Sequence, residues 1–322
     1  MNNLTLMDLM SRLDPKGDVA PVAEVLAQKN EIIKDLAWEE CNDKTGHKST
    51  IRTGYPEIGW RKLNYGVPQA KTETQQVRDE TGMLETVSAV DTAELDMARD
   101  KAKFLLGEAD GLLEKMSQKW ASTLFYGDMG ENAAAFNGLS VRYGKLSGAG
   151  SAKNVISAGS SKDKQNSSIW LVGHGEGKVF AIYPEGSKAG LEKSDRGVQD
   201  WKDENGNTYE AQVTRFKLRT GLCVRDWRYV VRICNIDSTN LDPAKLMKLM
   251  IKAKRLLPSL TDCKPVFYAN SEILTALEQG LYEKGNVHLT LAEAQSGIQE
   301  LRMSQIPVHT CEAITNDEAL VK

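Results

Sequence analysis

Gly173-His174-Gly175-Glu176-Gly177-Lys178 is the run whose glycines and lysine could cradle a phosphate. A nucleotide loop needs G-x-x-x-x-G-K followed by Ser or Thr to hold magnesium, and then a helix N-terminus facing the phosphates. Here Val179 follows Lys178 and an apolar β-type run follows that, so the spacing predicts a glycine-rich hairpin turn. Asp203-Glu204-Asn205-Gly206 has the acidity of a calcium loop, yet with Gly206 in the sixth position the first ligand would be Trp201, where an Asp is required. It reads as a turn. His47, His174, His288 and His309 form no H-E-x-x-H pattern, and no Ser sits in a G-x-S-x-G elbow. Cys41, Cys223, Cys234, Cys263 and Cys311 are odd in number, scattered and never C-x-x-C, which predicts reduced, mostly buried thiols rather than disulfides or a zinc site. No catalytic, cofactor-binding or metal-binding residue is assigned and no cofactor is expected. The chain reads as a non-enzyme, with a nucleotide-binding enzyme using residues 173–178 as the remote alternative.

The elements that would position any site must come from 322 residues, 41% hydrophobic and 26% charged, enough for two packed domains. No run of eighteen apolar residues occurs, and the opening MNNLTLMDLM lacks a basic stretch or cleavage site, so neither a membrane partner nor export is expected and the chain belongs in the cytoplasm. The formal charge of −3 argues against sequence-specific DNA binding, because affinity for phosphate backbones comes from counterion release by clustered Lys and Arg. Lys245, Lys248, Lys252, Lys254 and Arg255 read as the solvated face of a helix, with subunit or weak DNA contact as the alternative.

Along the chain, residues 1–45 hold two weakly amphipathic pieces, Leu4 to Leu13 and Val22 to Trp38, split by the breaker Asp14-Pro15-Lys16-Gly17-Asp18. They read as an arm that lies on something else. Residues 46–90 are polar and broken by Gly54, Pro56, Gly59, Gly66, Pro68 and Gly82; with few large apolar groups they cannot offset their own ordering entropy. They predict either a disordered insertion or a long hairpin ordered by a neighbouring molecule. Asp91-Thr92-Ala93-Glu94 has the form of a capping box, and Leu95, Ala98, Ala102, Leu105, Ala109, Leu112, Met116, Trp120 and Leu124 continue one apolar stripe to Gly127. About 35 residues at 1.5 Å each predict a spine helix on the order of 50 Å long over about 92–126. Gly107 and Gly111 read as points of close backbone approach.

Beyond it, Ile169 to Val172 and Val179 to Ile182 read as strands, and Asn205-Gly206 as the turn into an alternating stretch from Tyr209 to Ile236. There Phe216, Leu218, Leu222, Val224, Trp227, Tyr229, Val231 and Ile233 are spaced for one sheet face, with Arg215, Lys217, Arg219, Arg228 and Arg232 on the wet face. The last third is mixed α/β: a helix from Asp242-Pro243 to Leu257, a strand at Val266 to Ala269, a helix from Ser271 to Glu283 closed by Gly285, and strands at Val287 to Leu291 and Ile306 to Val308.

That order, with an α+β fold class, resembles the major capsid proteins of tailed bacteriophages. Trp120-Ala121-Ser122-Thr123-Leu124-Phe125-Tyr126-Gly127-Asp128, then Phe136-Asn137-Gly138-Leu139, is similar to the family's exit from its spine helix. Ser168 to Gly173 with Ile182 to Leu191, and Gly221 to Asp237, are similar to coat-protein segments of mostly short-tailed phages. The resemblance implies an N-terminal arm (1–45), an extended loop (46–90), a P-domain (91–140 and 195–236) and an A-domain (141–194 and 237–322). It implies self-assembly into hexamers and pentamers of an icosahedral head enclosing double-stranded DNA, built in the host bacterial cytoplasm and ending in the virion. A portal is the implied further partner, and whether a decoration protein binds outside is left open by the sequence. Some relatives carry an N-terminal scaffolding segment that is cut away; here the spine begins near Asp91, which favours a separate scaffolding protein. Some cross-link a loop Lys, and Lys62 and Lys71 lie in that region without a motif. An encapsulin-type compartment shell is the nearer alternative. Deleting residues 50–85 is expected to leave a folded subunit that forms no shells.

Overall fold

A computed structural model of the chain describes residues 30–54, 56, 58–66, 70, 73–97, 101–202, 206–281, 289–293 and 299–322. The piece read at Leu4 to Leu13, the breaker at 14–18, the start of the piece from Val22, Lys71, Asp203, Asn205, Gly285 and His288 lie outside them. The elements in chain order are α1 (Ile32–Asp35), β1 (Trp38–Glu40), β2 (Gly46–Gly54), β3 (Glu73–Asp91), α2 (Thr92–Met97), α3 (Lys101–Tyr126) and α4 (Leu139–Arg142). They continue as β4 (Val155–Ser157), β5 (Asn166–His174), β6 (Val179–Tyr183), β7 (Leu191–Lys202), β8 (Thr208–Val224) and β9 (Val230–Asp237). The last third holds α5 (Pro243–Leu256), β10 (Lys264–Ala269), α6 (Ser271–Leu281), β11 (Leu289–Glu293), β12 (Gln299–Met303) and β13 (Ile306–Thr310). One mixed sheet runs β11-β12-β13-β10-β5-β6-β8-β3-β2, with β1 on β6, β7 on β8, and β9 between β4 and β5.

Asp91 ends β3 and starts the spine: its carboxylate accepts from the Ala93 N–H at 2.8 Å, two residues on rather than the three of a capping box. The buried stripe of α3 is Ala109, Leu113, Met116, Trp120, Ala121, Leu124 and Phe125, packed with Phe216, Leu218 and Leu222 of β8. Gly107 and Gly111 lie on the opposite, solvent side with open space around them, so they permit no close approach. The close approaches come at the exit. Gly138 donates to the Gly127 carbonyl at 2.8 Å, and a Cβ on Gly138 would stand 2.6 Å from the Thr123 oxygen and 2.9 Å from that of Leu124. Gly138→Ala should therefore lower stability by about 1–3 kcal/mol through forced backbone shifts. Gly107→Ala should raise it by up to about 1 kcal/mol. Paired thermal melts of the two variants check both signs.

The stretch from Tyr209 to Ile236 is not one sheet face. Asp226 accepts from the Arg228 N–H at 3.0 Å and folds Trp227–Tyr229 into a 3-10 turn. Beyond that turn β9 leaves β8 to pair with β5 and β4. Phe216, Leu218, Leu222, Val224 and Trp227 thus face the spine core, while Tyr229, Val231 and Ile233 face a second core under α5 and α6. The expected hairpin at 173–178 is also corrected. β5 and β6 meet only at His174 and Val179, because β5 is taken by β9 and β10 and β6 by β8 and β1.

The C-terminal elements follow their local signals. Asp242 accepts from the Ala244 and Lys245 N–H groups at 2.9 and 3.2 Å with Pro243 in the first turn, which starts α5. Leu246, Met250 and Ala253 point inward, and Lys245, Lys248, Lys252 and Arg255 are exposed. β12 carries no signal that the sequence reading used; it lies antiparallel between β11 and β13.

In the single chain, the surface on which the described part of the arm lies is its own body: Ile32, Ile33 and Leu36 are buried in the spine core, and the Trp38 ring packs 5.4 Å from that of Trp120. β1 adds in parallel to β6. Four apolar side chains within seven residues are enough to fill the gap between α3 and the sheet, which compensates the ordering of so short a segment.

Candidate assembly interface

A polar ribbon stands between residues 46 and 80. β2 pairs antiparallel with the first half of β3, from Gly46 opposite Glu80 to Gly54 opposite Glu73. The second half of β3 belongs to the body instead: Thr81 to Asp91 pair with Gly221 to Ala211 of β8, and β7 covers the far side of β8. Of the two readings offered for this region, the hairpin is the one realised. A cut at 50–85 would remove part of a central strand and the buried Asp79 that pairs with Arg142, so the expected harmless deletion must be shortened to end before Arg78.

The root of the ribbon is fixed by charge and hydrogen bonds. Arg142 reaches Asp79, buried at 4% side-chain exposure, at 2.8 Å and also donates to the Leu222 carbonyl at 3.2 Å. Arg78 donates to the Thr45 hydroxyl at 2.6 Å, and Asn42 brackets Lys48 through backbone bonds of 2.7 and 2.8 Å. The far end has the opposite character. Ile58 is 90% exposed, Trp60 104%, Leu63 91% and Tyr65 68%, around a turn in which Arg61 donates to the Tyr65 carbonyl at 2.8 Å. Scattered single apolar residues need no explanation, but four large ones within eight positions on a protruding tip mark an interaction site. Trp and Tyr are the residue types that most often carry binding energy at such sites. Averaging over the whole segment hid them from the sequence reading. The cluster Ile58, Trp60, Leu63, Tyr65, bracketed by Pro56 and Pro68, was the signal available.

Two buried polar clusters tie the ends of the chain to the body. Asp35 of α1 accepts from Lys264 Nζ at 2.6 Å, Tyr268 Oη at 2.7 Å and His309 Nδ1 at 2.6 Å. Burial pushes its carboxyl up, but the hydrogen bond and charge of His309, then the bonds from Lys264 and Tyr268, outweigh this and hold it well below the usual carboxylate range. At the other end Glu318 accepts from Arg232 Nη2 at 2.9 Å, Tyr126 Oη at 2.5 Å and the Ser168 hydroxyl. Arg232 also donates to the Tyr143 carbonyl at 3.1 Å and lies 4.9 Å over the Trp170 ring. Arg232 was expected on a wet face; at 4% exposure it is buried, because the segment carrying Glu318 and the Tyr143 carbonyl close over its side of β9.

None of the chemistry-bearing motifs assembles into a catalytic constellation among the described residues. The His174 ring is buried against Tyr268 Oη at 2.8 Å, and the Lys178 ammonium sits 5.2 Å over the Tyr229 ring, so the glycine-rich loop has no free lysine aimed at a phosphate. His47 packs edge-on to Phe180, and His309 joins Asp35. The described residues hold no group of His, Cys, Asp and Glu suited to a metal ion. All five cysteines are free; burial pushes the Cys41 thiol up to about 11 and that of Cys311 to about 12, which keeps both protonated and unreactive. No helix among the described residues is long and apolar enough to cross a membrane.

The comparisons with known proteins meet this geometry. A family model described as "Major capsid protein GP7" matches residues 14–322. A cryo-EM-derived structure of bacteriophage Epsilon15 is similar at 32% identity and a TM-score of 0.70, covering 98% of this chain and 97% of that one. The bacteriophage JBD30 capsid, at 8% identity and a TM-score of 0.52 over 89% of this chain and 92% of that one, shares the fold. No curated protein sequence matches.

Proposed function

The chain belongs to the major capsid protein GP7 family of tailed double-stranded DNA phages, and from that premise we propose that its copies join as hexamers and pentamers into an icosahedral head around double-stranded DNA. The family is one of structural proteins that self-assemble into a capsid lattice, not of enzymes, and its place is the virion. The observation that carries the proposal is the apolar tip at Ile58, Trp60, Leu63 and Tyr65. It stands beyond a hydrogen-bonded ribbon with a fixed root, and among the described residues no side chain covers it.

In this reading residues 46–90 are the extended loop and residues 1–45 the arm. The P-domain is 91–140 and 195–236, and the A-domain is 141–194 and 237–322; the strand β9 lies at their seam. The phage is of the short-tailed kind. A separate scaffolding protein and a portal are its partners in assembly. A chain of formal charge −3 lines the head without trapping the genome, since weak phosphate affinity leaves the DNA free to be packed and released. The family match favours a phage head over a compartment shell loaded with an enzyme.

Electron micrographs of the purified chain test this. Closed icosahedral shells are the expected result; a protein that stays monomeric at high concentration, with and without scaffold, would count against it.

A further inference from the structure

We propose that Asp35, Tyr268 and His174 form a proton-operated latch that holds the segment Asn30–Glu40 on the body of its own subunit. The inference rests on geometry within one chain and does not depend on the assembly reading. The segment crosses the sheet: Asn30 bridges Cys311 beyond β13, Asp35 sits over β10, and β1 adds to β6. Its only buried charge is Asp35 among the described residues from 30 to 40, and every partner of that carboxylate is on the body.

The hydrogen-bond directions follow from the chemistry. An ionised Asp35 only accepts, so the Tyr268 hydroxyl must spend its proton on it. The 2.8 Å contact between Tyr268 Oη and His174 Nε2 is then an N–H donated by the imidazole. That fixes the tautomer and leaves Nδ1 as the bare nitrogen, which has no partner and is buried. Adding a proton would create a buried cation whose new N–H finds no acceptor, close to Lys264 of β10 and His309 of β13, with Asp35 of α1 the one opposing charge. Burial first, then those two neighbours, hold the imidazole down at about 4 against the pull of Asp35. Asp35 of α1 caps the Tyr268 hydroxyl that the His174 ring meets, so lifting α1 uncaps the Tyr268–His174 pair.

The sign follows from linkage. His174 has a depressed value in the docked state, so its contribution to docking is at full strength above its ordinary value near 6.5 and weakens as pH falls from there towards 4, against the His309–Asp35 pair, which strengthens as the His309 imidazole takes up its proton. The test is hydrogen exchange on the purified full-length chain, corrected for the intrinsic pH dependence, comparing amides 32–41 with those of α5. Opening of 32–41 should rise on the order of fifty- to a hundredfold between pH 7.5 and 4.5 while α5 stays protected. His174→Gln keeps a donor towards Tyr268 without titrating and should flatten the profile. Asp35→Asn, which removes the charge that Lys264 and His309 meet, should leave 32–41 open already at pH 7.5 with α5 protected. A flat wild-type profile, an unchanged slope in His174→Gln, or parallel opening of α5 would each overturn the latch. If His174→Gln does not fold, the profile of wild type against Asp35→Asn decides on the same criteria.

Discussion

Changing Ile58, Trp60, Leu63 and Tyr65 together to Ser is expected to give a soluble, folded subunit that forms no shells. These side chains contribute almost nothing to the fold, being 68% to fully exposed, so the melting temperature should hold to within about 1 °C. Between subunits the balance is different. Burying a large apolar side chain contributes about 1.5–3 kcal/mol, so four of them represent roughly 6–12 kcal/mol of contact per subunit before ordering costs. Even if half is offset, assembly weakens by more than about a hundredfold per contact. Sedimentation together with negative-stain micrographs gives the readout. Shells of normal yield from the four-fold variant would mean that the tip is not the adhesive surface. The shortened deletion that ends before Arg78 should give the same phenotype, whereas one that reaches residue 85 should also unfold the platform of β3, β8 and β7.

The second large effect is inside the subunit. Glu318→Ala should destabilise the fold by about 3–5 kcal/mol, because it strands the Arg232 guanidinium, 5% exposed, without its counter-charge. Tyr126 and Ser168 lose their acceptor at the same time. The companion variant Arg232→Met with Glu318→Leu removes both charges and should recover most of the loss, since an apolar pair of similar volume carries no desolvation penalty. Denaturant titrations of the single and double variants separate these outcomes. A single variant within about 0.5 kcal/mol of wild type would show that water reaches Arg232 and that the C-terminal segment is not the lock described here.

Local chemistry made much of the fold legible. Asp91 and Asp242 announce helix starts because an N-cap needs only a short acceptor beside the first free N–H groups. Pro258 marks the end of α5 for an equally local reason, whereas Gly127 ends α3 where a Cβ would collide with the Phe136 carbonyl oxygen, a contact made in the fold. The spine stripe was readable from its period, although the buried position proved to be Leu113 rather than Leu112. The order of elements and the runs around Trp120, Tyr183 and Trp227 were enough to suggest the family, because they depend on which residues occur and not on where they meet. The missed features depended on meeting. Nothing in the spacing of Arg232 distinguishes it from Arg215, and both lie on strands flanked on two sides; Arg232 is buried because Glu318, Tyr143 and Trp170 cover its face of β9, while Arg215 lies on the open face of the platform.

The sequence by itself thus determined the helices, their caps, the polarity of the ribbon and the kinship of the chain, all of which are set by residues near one another along it. Tertiary structure alone decided that residues 30–40 pack on the body of the same chain, that Asp35 and Glu318 would be buried, and that four apolar side chains would stand exposed at a tip. Burial is a property of pairs far apart in the chain: Asp35 is enclosed by residues 264, 268 and 309, and Glu318 by residues 126, 168 and 232. No local pattern encodes such partners, and the free energy of a buried charge is set by them.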